Sequence, residues 1–127
     1  MSPLTQLVVD ALGFMNRSFT DPADVRSVKF EFYAQVRRLW DRGVPVGLGL
    51  GHVLFRPTGY GFEVIRIGED GKPAGLAGVI GFGDVPEDSA GERILITIGP
   101  PAEVPPGVTA VAFDPIRWAA GSIERTA

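Results

Sequence analysis

Cysteine does not occur in the 127 residues, and histidine occurs once. The first absence excludes disulfides, thiolate nucleophiles, iron–sulfur clusters and every zinc site built on cysteine. The second leaves a metal one imidazole plus carboxylates, and leaves acid–base chemistry a single ring. Long apolar runs are missing too, since none nears the ~20 residues that span a bilayer. The opening MSPLTQLVVDALGFM has no basic flank and meets Asp10 midway, so it does not read as an export signal. A formal charge of −3 offers no general attraction to nucleic acid or to an anionic membrane. Phosphate loops are absent as well: Gly47-Leu48-Gly49-Leu50-Gly51 spaces its glycines by two, whereas the dinucleotide fingerprint is G-x-G-x-x-G. No metal or organic cofactor is expected, and neither nucleic acid nor a membrane is an expected partner.

Glycine (17) and proline (11) are plentiful instead, within a 45% apolar composition. That mixture favours short strands and many turns around a real core. The chain reads as a single domain over 1–127, helical over 1–43 and β-rich over 44–127. Ser2 and Pro3 suit the cap and first turn of a helix. Leu4, Leu7, Val8, Ala11, Leu12 and Met15 then recur at helical spacing, which predicts a helix over 3–15. Asp21 and Pro22 open a second helix, Val25, Val28, Phe32, Val36, Leu39 and Trp40 stripe it, and Gly43 with Pro45 stops it near residue 42.

Beyond Gly43 the period becomes two. Strands are expected over 46–55, with Leu50, His52 and Leu54 on one face, and over 60–67, 75–83, 93–99 and 108–113. Asp70-Gly71 predicts a type I′ hairpin turn. Helices first and strands after, without βαβ alternation, give an α+β fold: two N-terminal helices followed by a largely antiparallel sheet or barrel of about five strands.

Few residues invite chemistry. His52 has no carboxylate near it in sequence; its distant partners are Asp84 or Asp114. Asp84, Glu87 and Asp88 sit in GDVPEDSAG, which lacks calcium-loop spacing and reads as an acidic turn. Ser89 has no G-x-S-x-G setting. Arg37, Arg38 and Arg42 beside Trp40 fit the C-terminal end of a helix dipole, and Trp118 reads as packing. Glycines within strands, Gly78, Gly81 and Gly83 among them, read as places where the sheet bends or another backbone comes close.

Residues 75–104, GLAGVIGFGDVPEDSAGERILITIGPPAEV, resemble a segment of tailed-phage head decoration and capsid-fibre proteins. The matching parts are Ala77-Gly78-Val79-Ile80, the acidic turn from Asp84 to Gly91, and the strand from Ile94 to Gly99. The resemblance implies a virion component, in a decoration, head–tail or tail role, that works by contact with copies of itself or with other virion proteins. It places the chain in the virion; without it, the cytoplasm is the expected location. Two other functions stay open: a domain holding an apolar small molecule between sheet and second helix, and an enzyme using His52 with Asp84 or Asp114. For assembly, the first helix is the expected interface. Leu4, Leu7, Val8, Val9, Leu12, Phe14 and Met15 surround it, and a single core accepts one stripe, leaving Val9 and Phe14 for a neighbour.

Overall fold

The computed structural model describes residues 2–15, 25–82, 84–86, 91–98 and 103–113. Ser2 starts the first helix, α1 (Pro3–Met15), as its capping chemistry requires: the Thr5 N–H donates to Ser2 Oγ at 3.0 Å. The cap is tied to the far end of the chain. Ser2 Oγ and Thr5 Oγ1 both donate to Glu92 Oε1, the latter at 2.6 Å. A carboxylate thus completes the positive end of α1, where an anion is favoured. Leu4, Leu7, Val8, Ala11, Leu12 and Met15 are all buried.

The second helix, α2 (Val25–Asp41), buries Val28, Phe32, Val36 and Leu39 and packs against α1. Its expected capping residues, Asp21 and Pro22, lie outside the described residues. Past Gly43, where a strand was expected, the chain makes one more helical turn, α3 (Val44–Gly47). Pro45 falls in its first turn, where a missing N–H costs nothing. Gly49 and Gly51 follow at φ +86° and +81°, values an extended strand does not use. These glycines therefore serve turns: a Cβ on Gly47, Gly49 or Gly51 would touch nothing within 4 Å.

Five strands follow: β1 (Val53–Pro57), β2 (Gly61–Ile67), β3 (Pro73–Phe82), β4 (Glu92–Ile98) and β5 (Val108–Phe113). They form one open sheet in the order β1-β2-β3-β4-β5. The α+β class holds, and the sheet is mixed and not closed into a barrel: β1, β2 and β3 run antiparallel, while β3, β4 and β5 run parallel. The connections explain the change. Three residues separate β1 from β2, and Thr58 closes that hairpin by donating its N–H to the Gly61 carbonyl at 2.9 Å. Nine residues separate β3 from β4, and nine separate β4 from β5; extended, nine residues reach roughly 30 Å, enough to return to the starting end of strands this short.

The β2–β3 hairpin is where Asp70-Gly71 placed it, with a different turn. The Gly71 N–H donates to the Gly68 carbonyl at 3.0 Å, and the Gly68 N–H to the Lys72 carbonyl at 2.8 Å. Gly71 has φ +77°, and among the described residues none other than glycine has a positive φ. A type I′ turn needs both central residues there. The observed turn is type I with a glycine bulge, and Asp70 Oδ1 accepts the Lys72 N–H at 3.1 Å.

Both helices cover one face of the sheet. Val53, Phe55, Phe62, Val64, Ile80, Ile94, Ile96 and Phe113 meet them in the core. Phe62 is its aromatic hub, within 5.6–6.2 Å of Phe32, Tyr33, Phe55 and Phe82. On the opposite face Val79 and Leu95 are buried, Leu95 beside Asp84 and Val85 of one connection and Glu103 to Pro106 of the next. Arg93 holds these together, donating to the Pro106 carbonyl at 2.8 Å and, more weakly, to that of Pro86 at 3.5 Å.

Strand β3 is thin on both sides. A Cβ on Gly78 would lie 2.8 Å from Leu4 Cδ2 and 2.5 Å from the Glu92 carbonyl oxygen. A Cβ on Gly81 would fall on the carbonyl of Asp84.

Two substitutions test this account. Gly71→Val places a branched residue at a left-handed φ and is expected to cost about 1–2 kcal/mol or more, whereas Gly71→Asn costs less. Thermal unfolding reads the difference as several degrees. Glu92→Ala strands the hydroxyls of Ser2 and Thr5 and is expected to cost roughly 1–3 kcal/mol in urea denaturation. Glu92→Gln, which keeps an acceptor oxygen, is expected to cost clearly less.

Candidate interaction surface

Helix α2 has a second row of large side chains. Phe30, Tyr33, Arg37 and Trp40 are spaced by three, four and three residues, so they line one side of the helix. Phe30 is 73% exposed and Trp40 40%, and the Arg37 guanidinium lies 5.1 Å from the Trp40 ring centre. Tyr33 is half-buried, stacked on Phe62 at 5.6 Å. Val46 of α3 and Leu54 of β1 are also exposed, so the α2–α3–β1 end of the fold carries four of the large apolar side chains left in solvent. Arg37, Arg38 and Arg42 are exposed around this ridge.

Between the ridge and β1 lies a small hollow lined by Tyr33, Val36, Arg37, Trp40, Pro45, Val53, Leu54 and Phe55. Its volume, about 20 Å³, admits one water. Strand chemistry sets its floor. The Ile67 N–H donates to the His52 carbonyl, and Thr58 pairs with Gly61, so even-numbered β1 residues bond to β2. Val53, Phe55 and Pro57 therefore aim their backbone groups at the outer edge. Pro57 has no N–H to offer, and the other two residues are buried at the foot of the hollow. The space between α2 and the sheet, where the alternative reading puts an apolar ligand, is occupied by Phe32, Phe62 and Phe82.

A second, open depression of about 620 Å³ lies on the other face, lined by Asp84, Val85, Arg93, Leu95, Glu103, Val104, Pro105 and Pro106. Its one arginine is engaged by the carbonyls of both connections.

Of the seven residues expected at an α1 interface, Leu4, Leu7, Val8, Leu12 and Met15 are buried in the core of the chain itself. The sheet and α2 cover them, so they present no surface. Val9 is half-buried and Phe14 is 40% exposed. His52 and Leu54 face solvent, while Val53 and Phe55 face the core. This reverses the expected facing of that strand, because the chain reaches β1 through a helical turn and two left-handed glycines. His52 stands at the Ile67–Pro73 end of the sheet, and Asp84 lies past the other end of β3, roughly 30 Å away at ~3.3 Å per residue. The fold does not bring them together. Asp114, Glu87, Asp88, Ser89, Gly83 and Trp118 lie outside the described residues.

Among the described residues no group of three or more His, Asp or Glu side chains could hold a metal ion, and no helix is long and apolar enough to cross a membrane. The exposed ion pair of Arg56 and Glu63 holds the guanidinium above the usual arginine value, chiefly through the hydrogen bond from Arg56 to Glu63. Comparison of the chain with protein-family models, with curated proteins and with solved structures finds no match.

The ridge residues were visible in the sequence only as an unused second spacing on α2. Helical spacing places Trp40 in the core stripe and gives Phe30 no role.

An exposed His52 carries a direct expectation. His52→Ala should leave thermal stability within about 0.5 kcal/mol of wild type, as surface substitutions do; a large loss in calorimetry would put the ring inside the fold.

Proposed function

We propose that this chain is a non-enzymatic structural or assembly protein that acts through protein–protein contacts made by the α2 ridge. The observation that carries this reading is Phe30, 73% exposed on a helix whose opposite face is fully packed. Burying such a side chain is worth about 1.5–3 kcal/mol, and Phe30, Trp40, Val46 and Leu54 leave that gain unclaimed in the isolated chain. Aromatic residues with arginine close by are the composition of interface centres. Tyr33 and Val36 anchor the ridge to the core, so the surface is presented without reordering. The similarity of residues 75–104 to tailed-phage decoration and capsid-fibre proteins supports a virion as the setting, with other virion proteins as partners.

Sedimentation with purified particles tests the reading. The wild-type chain is expected to travel with the particle, and Phe30→Glu/Trp40→Glu to stay in the supernatant at an unchanged Tm. A wild-type chain that never sediments with particles refutes the virion setting. Full retention of the double variant refutes the ridge as the contact.

A further inference from the structure

The two edges of the sheet are finished differently, and β1 is the closed one. It is five residues long, its outer-edge groups lie at the foot of a hollow under α2 and Pro45, and its last outward position is a proline without an N–H. These are the devices by which edge strands avoid further pairing. Strand β5 has none of them. Its sequence VTAVAF carries no charge and no proline, and its pairing with β4 runs without a bulge. Thr109 and Ala112 are exposed and Val108, Ala110 and Val111 half-buried, so 108–112 are partly accessible, with the Val108 N–H turned back to the Pro105 carbonyl at 3.3 Å. Among the described residues no strand lies beyond it.

We propose that residues 108–112 of β5 pair antiparallel with the same residues of a second copy of this chain, joining two five-stranded sheets into one. The contact lies at the far end of the sheet from the α2 ridge and is independent of it.

The second copy fits for three reasons. A two-fold axis normal to the sheet keeps helices on one side, which requires opposed residues to share a face. The accessible stretch runs from 108 to 112, so its middle residue, Ala110, falls on the axis. Ala110 then meets Ala110, Thr109 meets Val111, and Val108 meets Ala112: small residues at the centre, β-branched partners on the helix side. Electrostatically the pairing is neutral, because an uncharged strand set against itself opposes no like charges. Finally, the open row of β5 is matched in length and spacing by the open row of another β5, whereas β1 offers no accessible row. Helix α1 contacts β5 and carries Phe14 at 40% exposure and Val9 half-buried.

The absence of cysteine makes the test clean. Light scattering of the wild-type chain at micromolar concentration is expected to read twice 13.6 kDa; a mass of 13.6 kDa overturns the proposal. Ala110→Cys should form an intermolecular disulfide on mild oxidation, since facing residues of antiparallel strands stand about 4.5–5.5 Å apart at Cα, within disulfide reach. Ala112→Cys faces Val108 and should remain uncrosslinked. Ala110→Lys sets two cations together on the axis and should give a monomer with unchanged circular dichroism, and mixing it with Ala110→Glu should restore the dimer. Equal crosslinking at 110 and 112, or a dimer of undiminished mass in folded Ala110→Lys, overturns the pairing. Should the lysine variant not fold, the two cysteine variants decide the matter alone.

Discussion

The thinness of β3 is the constraint on which the other contacts depend. Glycine at 78 lets Leu4 settle against the strand, and Leu4 begins the buried stripe of α1. With α1 held at that depth, Ser2 and Thr5 reach Glu92 at the start of the neighbouring strand. Glycine at 81 does the same on the reverse face, where the chain leaving β3 lies against it before turning into β4. A side chain at either place would push away backbone, which does not yield as the tip of a flexible side chain does. One strand therefore carries a helix on one side and a loop on the other, and the change from antiparallel to parallel pairing happens across it.

Much of this was legible because local chemistry and tertiary need agree. The Ser2 cap, the stripe of α1 and the stop at Gly43 all stand, and each of β2 to β5 falls within two residues of its expected bounds. The failures have physical causes. Val46 to Leu50 alternates large and small side chains, which is the pattern of a strand, yet Pro45 and the left-handed glycines decided the backbone. Asp-Gly serves a type I turn with a bulge as well as it serves a type I′ turn, so it placed the hairpin without specifying its kind. The parallel pairing had one local signal, the length of the connections after β3 and β4, since nine residues are too many for a tight hairpin. The bond from Thr5 to Glu92 spans 87 residues and left no local trace.

The apolar excess of the helical segment was legible; its location was not. Helix α1 looks greasy all round, and the fold absorbs most of it, because the side chains of one sheet face and α2 surround the stripe. Phe14 is left exposed on α1, and Phe30 and Trp40 on α2, whose second row was hidden behind an ordinary core stripe. Three polar side chains are occupied by architecture: Glu92 caps a helix, Arg93 ties two loops, and Lys29 donates to the Thr58 carbonyl.

Pro57 and the recessed edge of β1 also bear on how many copies can gather. A sheet with two open margins has no stopping rule, since every addition exposes a fresh margin and growth runs to fibrils. A sheet with one open margin has a valence of one. Among the described residues, whatever joins β5 takes the one open margin of the sheet, and growth by strand addition then stops. The blunted strand, although its outer edge pairs with nothing, is the terminator that lets so uncharged a margin exist at the other side of the sheet.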